Sequence, residues 1–177
     1  MKKYLLALII STTHTVSLAQ HIEEISEESE ESKFHVSVKG GAVFIPKGEE
    51  ISSEKHFVSA FAFGLELEYF LNNKWAMAIV ADKETKEYEI PVNGGKLERK
   101  NLMIVAALGA YRIKDNFLIF AGPGYEFEKH HNFFVLRVGL KYEIELENSF
   151  DLTPTFEFDF KEKYTSQFVG IAIGKKF

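Results

Sequence analysis

From Phe34 onward, large apolar and polar residues alternate along the chain with a period of two. In residues 150–160, Phe150, Leu152, Pro154, Phe156, Phe158 and Phe160 share one face, while Asp151, Thr153, Thr155, Glu157 and Asp159 share the other. Successive side chains of an extended strand point to opposite sides, so this period predicts β-structure, and no stretch carries a convincing helical period. Eight strands are predicted, over 34–45, 57–71, 75–84, 100–113, 117–128, 133–146, 150–161 and 166–177. Their connections alternate in length. "NNK" at 72–74, "KDN" at 114–116 and "ENS" at 147–149 are short and rich in turn formers, whereas 46–56, 84–99, 129–132 and 161–166 are longer or more polar. Short turns at one end and long loops at the other predict an all-β fold, an eight-stranded antiparallel up-and-down β-barrel spanning residues 34–177.

Volume decides which face is outside. An eight-stranded barrel has a lumen just wide enough for side chains to fill. The bulky faces carry Phe57, Phe61, Phe63, Leu65, Leu67 and Tyr69 in the second strand, and Phe134, Leu136, Val138, Leu140, Tyr142 and Ile144 in the sixth. Val169, Ile171, Ile173 and Phe177 form the same face of the eighth. Packing all of these inward would overfill the bore. The opposite faces are small with a few charges, such as Ala60, Ala62, Gly64, Glu66 and Glu68, or Gly122, Gly124, Glu126 and Glu128. The large faces are therefore expected to meet lipid, making the barrel a transmembrane one. Aromatic residues collect near both strand ends, as two membrane interfaces would require: Tyr69, Trp75, Tyr111, Phe117, Tyr142, Phe150 and Phe177 at the short turns, and Phe44, Phe57, Phe127, Phe134, Phe160 and Tyr164 at the long loops. The fourth strand, "NLMIVAALGAYRI", is apolar on both faces. A three-residue turn after it would put Tyr111 and Ile113 outward with Arg112 inside, and a two-residue turn would reverse this. Pro123 and Pro154 fall within strands, where each removes a ladder donor, so a bulge or strand end is expected at each.

Composition bears on location. The first 19 residues run from basic "MKK" through apolar "YLLALII" to a polar stretch with small residues at Ser17 and Ala19, the layout of a secretory signal peptide cleaved between Ala19 and Gln20. Its removal takes the formal net charge from −5 to −7 by losing Lys2 and Lys3. An acidic exported chain without a basic stripe is a poor nucleic-acid binder. Residues 20–33, "QHIEEISEESEESK", are glutamate- and serine-rich and read as a disordered acidic tail. The chain has no cysteine, which excludes disulfides and thiol catalysis, and no apolar run approaches the length of a spanning helix.

The terminal "QFVGIAIGKKF", alternating and ending on Phe177, resembles the last strand of Gram-negative outer-membrane proteins. Residues 34–177 as a whole resemble the eight-stranded small barrels of the OmpA/OmpX type and their outer-membrane β-barrel relatives, in architecture and terminal motif. The resemblance implies a bacterial outer-membrane location, with both ends periplasmic and four loops outside. It also implies contact with outer-membrane lipid and lipopolysaccharide, and a role for Phe177 in the signal read by the barrel-assembly machinery.

The sharpest constellation is in the expected lumen: Arg137, Lys141, Glu126, Glu157, Asp159, Glu66 and Glu68. If the 147–149 turn pairs Leu146 with Phe150, Arg137 lies opposite Asp159, with Glu157 diagonal to both Arg137 and Lys141. Parity across the 129–132 loop makes Glu126 a second diagonal neighbour of Arg137, and Gly122, Gly124 and Gly139 leave room for the guanidinium. An unpaired charge there would cost several kcal/mol, so an ion network that plugs the lumen is expected, ahead of an ion path or gate. His130 and His131 are adjacent and lack a third ligand at a characteristic spacing, and His35 and His56 have no evident companions, so no metal and no cofactor is expected. Ser166, His130, His131 and Glu128 lie near the expected outer rim, but without an oriented base or oxyanion site they make no enzyme. The expected role is structural or in surface interaction, through the loops near 46–56 and 84–99 and a partner that the residues do not identify. The alternatives are a conduit for small apolar solutes, as in OmpW-type barrels, and a lipid-modifying enzyme.

Overall fold

The computed structural model describes residues 33–46, 58–92, 95–129 and 131–177. The expected signal peptide with Ala19 and Gln20, the tail up to residue 32, the loop at 47–56, Phe57 and His130 lie outside these residues.

Alternation gives strands throughout. They are β1 (Phe34–Ile45), β2 (Val58–Phe70), β3 (Trp75–Glu84), β4 (Tyr88–Val92), β5 (Gly95–Arg99), β6 (Met103–Lys114), β7 (Phe117–Phe127), β8 (Phe133–Tyr142), β9 (Ile144–Glu145), β10 (Phe150–Lys161) and β11 (Thr165–Lys176). Antiparallel ladders run β1–β2–β3–β6–β7–β8–β10–β11, and β11 pairs with β1, so the sheet closes. The short β9 continues β8 past Glu143 along the edge of β10. The barrel is thus eight-stranded, and closure leaves no free edge. The β4–β5 hairpin is a separate two-stranded sheet.

On the barrel strands the bulky apolar faces are outside, β6 being apolar on both faces. Leu65 is 60% exposed, Ile79 59% and Ile173 54%, whereas Glu68, Val80 and Val135 on the alternate face are fully buried. Phe156 and Phe158 are on the outer face, flanking buried Glu157, and their rings meet edge to face at 4.8 Å. One aromatic departs from the expected belts. Tyr164 turns inward and is buried at the long-loop end, where its hydroxyl finds carboxylate partners.

The turns set the register. Asn148 and Ser149 adopt left-handed backbone (φ 59° and 63°), and the Leu146 N–H bonds the Phe150 carbonyl at 2.8 Å. That fixes Arg137 opposite Asp159. After β6 the turn has two residues, Asp115 and Asn116, yet Tyr111 and Ile113 face outward and Arg112 inward. A register shift between Arg112 and Lys114 supplies the missing residue and restores the parity of a three-residue turn. Neither proline produces a bulge or a strand end in its own strand. The β6–β7 pairing lapses between Ala106↔Gly124 and Gly109↔Ala121 around Pro123 and resumes in the same register. Opposite Pro154 it is the partner that breaks, between β8 and β9, while β10 runs on. A missing N–H costs ladder bonds on one side only, and the barrel tolerates this without slipping.

Candidate functional site

Inward positions of β1, β2, β8 and β10, with the long-loop ends of β3 and β7 and with Arg99 of β5, carry acids and bases that meet in three tiers. Nearest the short turns, His35 lies between two carboxylates, with Nδ1 3.3 Å from Glu68 Oε2 and Nε2 2.7 Å from Asp151 Oδ2. The Lys141 ammonium reaches Glu66 at 2.8 Å and Glu68 at 2.9 Å. In the middle tier the Arg137 fork holds Asp159 with both oxygens, Nε donating to Oδ1 at 2.7 Å and Nη2 to Oδ2 at 2.9 Å. Its Nη1 serves Asp82 and stands 3.2 Å from Glu157. Lys39 completes this tier, 2.6 Å from Glu157 and 3.1 Å from Asp82. All five side chains are buried.

The third tier lies at the long-loop mouth. Lys161 Nζ is 2.6 Å from Glu126, and the Tyr164 hydroxyl is 2.9 and 2.8 Å from the two oxygens of that carboxylate. Arg99 pairs with Glu126 from above and donates to the His131 carbonyl at 2.6 Å. Tyr88 donates to Glu84 at 3.1 Å and stands 3.2 Å from the Tyr164 hydroxyl. Burial, with Glu84 and Tyr164 adding to it, pushes the Tyr88 phenol well above its ordinary value, so it remains a donor. A cavity of about 20 Å³, lined by Asp82, Arg137, Glu157, Asp159, Ser166 and Phe168 among others, leaves room for roughly one water.

Arg137, Glu157 and Asp159 come together as the register requires. Lys141 lies near Glu157 in sequence phase, but its ammonium turns to Glu66 and Glu68. Glu126 is no neighbour of Arg137. It pairs with Phe133 in the ladder, four residues from Gly122, the partner of Arg137, so its contacts are Arg99, Lys161 and Tyr164. The glycines also serve otherwise than expected. A Cβ at Gly122 would fall 2.0 Å from the Ala107 carbonyl, at Gly124 2.9 Å from the Val105 carbonyl, and at Gly139 2.4 Å from the Phe120 ring. They permit close approach of strands and an inward ring rather than room for a guanidinium. His35, expected to stand alone, is a tier member, and a Cβ at Gly174 would meet its ring at 1.9 Å.

Lys39, Asp82 and Arg99 escaped the sequence reading. Lys39 shares the parity of His35 and Ser37 opposite Phe34, Val36 and Val38, which marks it as inward. Arg99 was missed because residues 84–99 were expected to form an open loop. Instead "YEIPV" and "GKLER" alternate and pair as β4–β5, with Tyr88, Ile90 and Arg99 fully buried and Glu89, Lys96 and Glu98 on the other face. The buried face packs on Val43, Ile45, Val58, Leu102, Phe133 and Tyr164 at the mouth.

No protein-family model matches the chain, and no curated protein matches it by sequence. Solved structures do. The N-terminal β-barrel domain of Pseudomonas aeruginosa OprF superposes with a TM-score of 0.55 at 10% identity, over 84% of this chain and all of that one. Neisserial surface protein A gives 0.55 at 12% identity over 84% of this chain and all of its own. The outer-membrane protein OprG of Pseudomonas aeruginosa gives 0.51 at 11% over 83% and 98%. At such identities the likeness is one of fold: the chain has the fold of the small outer-membrane β-barrels.

Proposed function

We propose that the protein is an integral protein of the Gram-negative outer membrane, a sealed barrel that anchors a surface-exposed end rather than conducting solutes. The outward girdle of Phe, Leu, Ile and Val side chains supports burial in lipid, where contact with phospholipid and lipopolysaccharide follows. The export pattern of residues 1–19 and the shared fold support the envelope location. The observation that carries the sealed reading is the Arg137–Asp159–Asp82–Glu157–Lys39 knot, which crosses the lumen from β3 to β8, takes in β1 and β10, and holds its charges in mutual contact. An ion entering there would have to displace partners that already satisfy one another. The long-loop end then serves as an interaction platform for a surface partner.

Two measurements test this. Protein extracted from envelopes should migrate faster on gels before boiling than after, as a closed barrel does. Reconstituted into planar bilayers, it should give no discrete conductance steps. Migration unaffected by heating would overturn the membrane-barrel reading, and regular single-channel openings would overturn the sealed one.

A further inference from the structure

The β4–β5 hairpin holds to the barrel in an unusual way. It belongs to its own sheet, so no continuous ladder joins it to the wall. Its roots are short: residues 85–87 on one side, and 100–102 on the other, where Asn101 takes left-handed backbone at φ 52°. There the Thr85 N–H bonds the Phe61 carbonyl at 2.9 Å and the Glu84 N–H bonds the Leu102 carbonyl at 3.1 Å. What fastens the hairpin's body is its buried face, and the one charged group on that face is Arg99. The guanidinium enters a pocket already built by the barrel. Glu126 supplies a fully buried carboxylate, itself oriented by Lys161 and Tyr164. The Phe133 ring lies 4.7 Å from the guanidinium carbon, and the His131 carbonyl accepts from Nη1. A flat cation gripped by a carboxylate, a carbonyl and an aromatic face is a recognition geometry that an ammonium matches poorly. Arg99 Nε, however, is buried without a partner, so the fit is incomplete and the closed state is held less firmly than it could be.

We propose that the hairpin is a hinged lid over the long-loop mouth, latched by Arg99 in a receptor pocket of Glu126, Phe133, Tyr164 and the His131 carbonyl that binds guanidinium groups in its own right. Opening bares an apolar vestibule of Val43, Ile45, Val58 and Phe133. The bore stays shut, because the Arg137 tier lies beneath. Failure of the latch therefore leaves the sealed-barrel reading standing, and a conducting barrel would leave the latch standing.

The chain lacks cysteine, so Ile90→Cys places a single thiol on the lid's buried face. Its reaction with a membrane-impermeant maleimide, in protein reconstituted in vesicles, reports opening. Adding Arg99→Ala should speed labelling about tenfold or more while heat-shifted gel migration is kept. Millimolar methylguanidinium should then slow it towards the parent rate, and methylammonium should not. Arg99→Lys, keeping charge but not the fork, should label at nearly the Arg99→Ala rate. The latch is overturned if labelling is equally fast with Arg99 present, or if Arg99→Ala abolishes the folded band, since Arg99 would then belong to the barrel's core. Equal effects of the two cations would overturn the guanidinium pocket.

Discussion

The two walls of the lumen are filled by opposite means. Over the short-turn half of β3, β6 and β7 the inward residues include Ala76, Ala78, Val80, Ala106, Leu108, Ala110, Leu118 and Phe120, an apolar cluster against which Phe70 also packs. Across β1, β2, β8 and β10 the inward residues include His35, Lys39, Glu66, Glu68, Arg137, Lys141, Asp151, Glu157 and Asp159, all nine in direct ionic contact. Both walls occupy the same bore, and both face the same outer girdle. The apolar wall depends on volume, so any side chain of similar size and shape serves. The charged wall depends on partners, because each group removed from water needs its complement within hydrogen-bonding reach. Phe120 joins the two: its ring lies over Gly139, its direct partner on the neighbouring β8.

This contrast can be broken from the charged side first. Arg137→Ala leaves Asp82, Glu157 and Asp159 around one fewer cation, and should cost about 3–5 kcal/mol. The urea midpoint of vesicle-reconstituted protein, followed by the fluorescence of its single tryptophan, Trp75, reads this. An unchanged midpoint would mean that the middle tier contributes nothing. The second test moves an arginine to the outer face. Phe158→Arg lies beside Glu157 and Asp159 in sequence but faces lipid, and should lose about 2–4 kcal/mol if residue 158 is near mid-bilayer. Equal folding of variant and parent in the same vesicles would contradict the assigned face. The smallest effect is expected on the apolar wall, where Leu118→Met should cost less than about 1.5 kcal/mol in that titration, since volume is conserved and no partner is lost. A larger loss there would show that this wall, too, is specific in detail.

Much of the barrel was legible along the chain because strand period is a local property. The eight strands, their bulky outer faces and the Arg137–Asp159 pairing follow from alternation and one tight turn. The fourth strand was illegible for the same reason: with Ile104, Ala106 and Leu108 on one face and Met103, Val105 and Ala107 on the other, apolar residues face both lipid and the apolar wall, so no polar phase marks the inside. Its phase hung on a bulge beside Ile113, which alternation does not announce. The hairpin was missed although its alternation and its Gly94–Gly95 pair were visible, because the expected barrel had already used eight strands.

Outside the fourth strand, the sequence by itself determined which barrel side chains point inward and which outward, since a strand's geometry leaves each residue two choices and the lipid takes the large apolar set. Which inward charges meet was decided only by the closed barrel. Lys141 chose Glu66 and Glu68 on a strand 73 and more residues away, and Glu126 was claimed by a hairpin folded over the mouth. Contacts across a bore depend on strand tilt and on how the sheet closes, and these are properties of all eight strands together rather than of any one segment.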